Sequence, residues 1–149
     1  GVTLWMMATL LIGTVLMIRA TKNLAGIYRF ASIVAIGTAF MVTWANGAVG
    51  IIGSEENKIN LVYFVIIIMG FLGAYISDFA TKGIALSLFS MGFIQMVIAI
   101  MIVVSINLNV PSMTLKSTLI FLTLHGVIAS GYTFSGLLFL YTLRQKPIQ

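Results

Sequence analysis

Three polar side chains lie inside long apolar stretches, where they could do chemistry. They are Asn46, Gln95 and His125, and His125 is the only histidine in the sequence. An amide or imidazole is costly in apolar surroundings unless it is hydrogen-bonded. The positions of Asn46 and His125 in their stretches place them at similar depth. If the stretches that carry Asn46 and His125 are neighbours, we expect one outward-facing candidate polar pocket, formed by Asn46 and His125 with Gln95 toward the interior and roofed by Glu55 and Glu56.

His125 has several possible roles. Its ring could titrate, ligate a metal or haem, or donate a hydrogen bond to a quinone carbonyl. The chain has no cysteine and no second histidine, so a metal site built from this chain alone is not expected. The favoured interpretation is a neutral imidazole hydrogen-bonded between helices, and Gln95 is interpreted in the same way. A minor alternative is a quinone- or haem-contacting subunit that uses His125 with Trp44 or Tyr132.

The segment WANGAVGIIGSEEN, residues 44–57, combines small and acidic residues. Glycines at every third position would let another helix or a ligand approach the backbone closely. The acidic turn that follows is interpreted as an outer rim that attracts a cation or binds a ligand. The alternative is a solvated loop after a close-packed helix end. The glycines are Gly47, Gly50 and Gly53, and the rim consists of Glu55, Glu56 and Asn57.

The last apolar stretch carries a second ladder of small residues, Gly126, Ser130 or Gly131, then Ser135 or Gly136. Spacings of four or five residues let helices pack at short distance. We expect this ladder to pack within the bundle or against another subunit.

The apolar stretches that carry these polar and small residues have the composition and length of membrane-spanning helices. Of 149 residues, 60% are hydrophobic and 7% charged, which excludes an ordinary soluble domain and a disordered chain. Five apolar blocks are each close to the length that a spanning helix needs. The sequence predicts an all-α, polytopic transmembrane helix bundle that forms one domain over residues 1–149. Its five spanning helices are expected at about 2–18, 30–52, 61–79, 84–108 and 118–143.

The basic residues predict the orientation. Six of the eight lie on the side of residues 19–29, 81–83 and the C-terminus, and two lie on the other side. The positive-inside rule makes the first side cytoplasmic. The net charge of +5 is therefore read as membrane topology, and no nucleic-acid partner is expected. Asp78 is interpreted as one half of an interfacial ion pair with Lys82, four residues on.

The chain begins with Gly1 inside an apolar run, with no basic flank before it. This start suggests a missing upstream part, which would add a further helix, or a cleaved signal sequence. The mass of the intact purified protein would decide whether such a part exists.

Residues 44–74 resemble an uncharacterised family of small bacterial inner-membrane proteins, whose members carry W-x-N-x-A-V-G-I-I-G-S-E-x-N before the next helix. The chain differs at Lys58, where the family pattern has proline. The resemblance implies a bacterial inner membrane location and another helix upstream. It implies no activity.

The sequence contains no Walker loop, HExxH or GxSxG motif, and adjacent glutamates on a helix would diverge by about 100 degrees. We therefore expect no enzyme and no cofactor. The first hypothesis is a non-catalytic bundle that packs through its helices in the lipid bilayer, as a homo-oligomer or with other membrane subunits. The alternative is a small channel or transporter for a cation or proton with an outer acidic rim.

Overall fold

A computed structural model describes residues 2–48, 57–109 and 114–145 of the chain, and all the regular structure within these ranges is helical. Apolar runs of this length must satisfy every backbone N–H and C=O internally, which a helix does. The helices are α1 (Val2–Thr21), α2 (Gly26–Ala48), α3 (Leu61–Ile76), α4 (Thr81–Asn109) and α5 (Leu115–Arg144), with a 3-10 turn (Lys58–Asn60) before α3.

Four helical segments in the described ranges are long and apolar enough to cross a membrane: residues 26–47, 58–76, 81–106 and 115–144. The prediction of an all-α, multi-pass membrane bundle is confirmed at this level. The apolar part of α1, Met7–Thr21, is shorter than these four. The predicted fifth crossing, by α1, stays a prediction.

Helix α5 lies at the centre of the packing. It packs against α4 on one side and α2 on the other, while α3 packs on α4 and α1 packs on α2. Helices α2 and α3 barely touch each other. We call the half of the bundle nearest the turn at residues 57–60 the upper half, and the half nearest residues 77–80 the lower half.

The end of α3 differs from the sequence prediction. The predicted block ran to residue 79, but the helix ends at Ile76, and Asp78 and Phe79 take left-handed backbone angles with φ of 51° and 54°. The N–H of Phe79 donates to the Ala74 carbonyl over 2.8 Å, a bond that closes the helix end. Asp78 and Lys82 therefore do not share a helix turn, and they form no salt bridge, so the predicted ion pair is wrong.

Small residues set the distance between α4 and α5. A Cβ atom at Gly92 would lie 3.0 Å from the Ala129 carbonyl oxygen, and one at Gly136 would lie 3.2 Å from the Ala85 carbonyl oxygen. These approaches place the two backbones close together. On the opposite side of α5, the fully buried Ser135 hydroxyl donates to the Ala31 carbonyl of α2 over 2.7 Å.

Most hydroxyl groups on the helices bond to their own helix. Each donates to the carbonyl four residues before it, which satisfies the hydroxyl in an apolar setting. These residues include Thr14, Thr21, Ser32, Thr38, Ser87 and Ser130. Such hydroxyls are therefore not available as donors to another molecule.

Candidate functional site

His125 lies at the centre of the upper half, with no solvent exposure. Its Nε2 atom is 2.5 Å from the hydroxyl of Tyr63 on α3, and its Nδ1 atom is 2.8 Å from the Phe121 carbonyl, one turn earlier on α5. Its ring centroid is 4.2 Å from that of Phe121. Both ring nitrogens therefore have partners inside the chain.

These contacts determine the form of the ring. A carbonyl only accepts hydrogen bonds, so Nδ1 carries the proton and donates to Phe121. In the neutral ring Nε2 is then an acceptor, and the Tyr63 hydroxyl donates to it. To bind a haem iron or another ligand through Nε2, His125 would first have to release Tyr63.

Gln95 and Asn46 are also buried, at 1% and 4% exposure. The close approach of Gly92 to Ala129 places Gln95, one turn along α4, level with the His125 region of α5. The side-chain nitrogen of Gln95 has no hydrogen-bond partner in the described part of the chain. The upper half thus has a layer of buried polar side chains.

Among the residues that the structure describes, the three residues of the predicted pocket do not line a common cavity. A cavity of about 370 Å³ lies at the top of the bundle, between the end of α2 and the start of α3. Asn46 lines it, but Gln95 and His125 do not. The other lining residues are Gly47, Asn57, Lys58, Asn60, Leu61 and Phe64.

The predicted outer rim is described only at its last residue. Glu55 and Glu56 lie outside the described residues, as do Gly50 and Gly53. Asn57 lines the upper cavity, and its side-chain oxygen accepts from the Ile59 N–H over 3.1 Å, which caps the 3-10 turn. Part of the Asn57 side chain is thus used in folding the turn.

The small-residue ladder of α5 divides between two faces. A Cβ atom at Gly131 would lie 2.5 Å from the Thr38 hydroxyl oxygen, so Gly131 lets α2 approach. A Cβ atom at Gly126 or Gly47 would meet nothing within 4 Å among the described residues, so neither glycine lets a described helix of the same chain approach closely, and their predicted packing against another subunit or a ligand stays a prediction. Gly126 directly follows the fully buried His125, and a turn of about 100° per residue along α5 places it on a different face of the helix.

Gly126 and Ser130 instead line an open groove between α4 and α5. The groove has a volume of about 650 Å³, and its other small residues are Gly92, Ala129 and Thr133. The walls are Phe89, Phe93, Met96, Phe134 and Leu137. The predicted ladder therefore contributes Gly131 and Gly136 to the bundle interior and Gly126 and Ser130 to a surface groove.

A cavity in the lower half was not predicted from the sequence. It has a volume of about 320 Å³, lies among α2, α3, α4 and α5, and is lined mostly by apolar side chains. The fully buried Tyr132 is one of the lining residues. The sequence suggests Tyr132 only as a companion of His125. The cavity arises from the gap between α2 and α3, which no sequence pattern reveals.

In the ranges that the structure covers, no three His, Cys, Asp or Glu residues lie together as metal ligands would. Comparisons with protein-family models, with curated proteins and with solved structures gave no match for this chain. The resemblance over residues 44–74 therefore stays a prediction.

Proposed function

We propose that the chain is a non-catalytic, multi-pass membrane subunit that acts by packing against a second copy of itself. The observation that carries this proposal is the groove between α4 and α5, whose floor is formed by small residues and whose walls are apolar. Helix association in a bilayer depends on close backbone approach at such residues. A helix of a second copy fits this surface better than a soluble partner, because the groove is apolar.

The hydrogen bonds of His125 support a non-catalytic role, because they engage both of its ring nitrogens. A general base or a metal ligand needs a nitrogen that can face its substrate. Here one nitrogen donates to Phe121 and the other accepts from Tyr63. The hydrogen bonds of His125 to Tyr63 and Phe121 then stabilise the bundle.

The absence of cysteine from the sequence permits a direct test of self-association. We expect Ser130→Cys, in the groove, to form disulfide-linked dimers when native membranes are oxidised. Ile68→Cys, a 57% exposed position on α3, is the control at a similar depth and should stay monomeric. Equal cross-linking at the two positions, or none at Ser130→Cys, would contradict the proposal.

A second variant tests whether cross-linking depends on the groove itself and not on correct folding of the chain. Gly126→Leu has open space for its side chain and should abolish cross-linking by Ser130→Cys while leaving the folded helix content unchanged. If dimers persist in the double variant, the two copies do not meet at this groove. If a different membrane protein co-purifies and Gly126→Leu removes it, the chain is an accessory subunit rather than a homo-oligomer.

The location belongs to the same proposal. We place the chain in the bacterial inner membrane with the lower end and the C-terminus in the cytoplasm, because the basic residues concentrate there. A membrane-impermeant maleimide should then label Lys116→Cys and not Lys22→Cys in intact spheroplasts. The reverse pattern would invert the topology.

A channel or transporter is the second candidate, and the upper cavity is the observation that favours it. Three asparagines and Lys58 surround this cavity, which could hold a polar solute at the membrane surface. Ion or proton flux in liposomes should then occur and fall in Glu55→Gln/Glu56→Gln. Absence of flux in wild-type liposomes would eliminate this candidate, and flux that survives the double substitution would eliminate the acidic rim.

A further inference from the structure

The lower cavity contains a hydrogen-bond donor that the fold does not use. Tyr132 is 1% exposed and lines the cavity, and its hydroxyl has no hydrogen-bond partner among residues 2–48, 57–109 and 114–145. Within a bilayer an unsatisfied polar group costs several kcal/mol. A bound molecule with an acceptor atom would remove this cost.

The other hydroxyls around the cavity are already bonded. Ser32 donates to the Tyr28 carbonyl over 3.0 Å, and Ser87 donates to the Gly83 carbonyl over 2.9 Å. Tyr132 is therefore the lining hydroxyl that remains available to a ligand. The rest of the lining is almost entirely apolar, so a charged or strongly polar ligand would lose its hydration without replacement.

The cavity is accessible from the side of the bundle. Helices α2 and α3 barely touch, and the cavity is lined there by partly exposed Ile36, Phe71 and Phe79. The left-handed turn at Asp78 and Phe79 places the Phe79 ring beside Phe71, with centroids 5.9 Å apart. A molecule dissolved in the bilayer could enter between these helices without crossing water.

We propose that the lower cavity binds an apolar, membrane-dissolved molecule that carries a carbonyl, with the Tyr132 hydroxyl donating to the carbonyl oxygen. The volume of about 320 Å³ is at the small end of the range for ligand pockets, about 300–1,000 Å³, which are mainly apolar with few polar groups. It suits a ring or a short chain with one carbonyl. This site is separate from the α4–α5 groove and does not depend on self-association.

Benzophenone is a suitable probe, because it is an apolar aromatic ketone that attaches to nearby C–H bonds under ultraviolet light. We expect saturable labelling of the purified full chain, mapped by mass spectrometry to side chains that line the lower cavity. Tyr132→Phe should raise the half-saturating benzophenone concentration about five- to tenfold, because one buried hydrogen bond to the probe is lost. Tyr141→Phe, on the same helix but outside the cavity, is the matched control and should label like wild type.

Two results would overturn the proposal. Labelling that does not saturate and is spread over lipid-facing side chains would show that benzophenone only dissolves in the detergent. Saturable labelling that is equal in wild type and Tyr132→Phe would show that the hydroxyl does not donate to the carbonyl. A thermal unfolding temperature of Tyr132→Phe that is no lower than that of wild type, measured without the probe, would show that weaker labelling does not reflect misfolding.

Discussion

Tyr63 and Tyr132 are equally buried, each at 1% exposure, but they differ in what their hydroxyls contact. In the upper half Tyr63 donates to His125 Nε2 over 2.5 Å, and the imidazole is in turn held by the Phe121 carbonyl. In the lower half Tyr132 lines a cavity and its hydroxyl has no partner in the described chain. Burial alone therefore does not distinguish a structural polar group from a candidate binding group, whereas the partners of that group do.

The difference follows from the packing of α3. In the upper half α3 presents Tyr63 directly to α5, so a polar pair closes the space between them. In the lower half α3 stays apart from α2, and the space between these helices remains as a cavity. The same four helices thus enclose a hydrogen-bonded tyrosine–histidine pair in the upper half and form an accessible apolar cavity in the lower half.

The largest expected effect is the loss of His125. His125→Leu leaves the buried Tyr63 hydroxyl without an acceptor and should lower the free energy of unfolding by about 2 kcal/mol. An SDS titration of the protein in mild detergent would measure this change in the free energy of unfolding. Ser130→Ala is the control on the same helix and should stay within about 0.5 kcal/mol of wild type. If the free energy of unfolding of His125→Leu also stays within about 0.5 kcal/mol of wild type, the Tyr63–His125 pair does not stabilise the bundle.

A smaller effect is expected from Tyr63→Phe. Hydrogen bonds between membrane helices contribute about 0.6 kcal/mol on average, and the loss in unfolding free energy should exceed this value because the buried His125 Nε2 is left without a donor. It should stay below the loss in His125→Leu, which also removes the bond to the Phe121 carbonyl. Tyr63→Phe combined with His125→Leu should destabilise less than the sum of the single changes, because no orphaned hydroxyl remains. Strict additivity in this double-mutant cycle would show that the two side chains do not interact.

The smallest loss of stability is expected from Tyr132→Phe. Its hydroxyl has no internal partner to lose, so the free energy of unfolding should not fall, and the removal of an unsatisfied buried hydroxyl should raise it. The same SDS titration, without any added ligand, would measure it. A loss larger than that of Tyr63→Phe would reveal a structural partner for Tyr132 and remove the contrast between the two tyrosines.

Much of the fold could be predicted from the sequence, because long apolar runs determine helices in a bilayer. Four of the five predicted blocks are confirmed as helices of spanning length. The end of α3 was predicted too late, since apolar Phe79 continues the pattern while the backbone has already turned at Asp78. Hydrophobicity carries no information about such a left-handed turn.

The candidate site was less predictable, because it depends on which helices are neighbours. The burial of Asn46, Gln95 and His125 follows from their positions in apolar runs, and the structure places all three in the interior. Their grouping required contact between α2 and α5 at the right height, and the sequence offered no sign that Tyr63 of α3 would be the partner of His125. The lower cavity could not be foreseen, since it is defined by a gap between α2 and α3.

The most direct test of a structural role for the Tyr63–His125 pair uses the single histidine as a spectroscopic probe. Solid-state nitrogen NMR of the protein in bilayers, with ¹⁵N-labelled histidine, reports which ring nitrogen carries the proton. The contacts of His125 predict a neutral ring with the proton on Nδ1 and a hydrogen-bonded Nε2 acceptor, whose signal changes in Tyr63→Phe. A proton on Nε2, or a signal unaffected by Tyr63→Phe, would contradict the account.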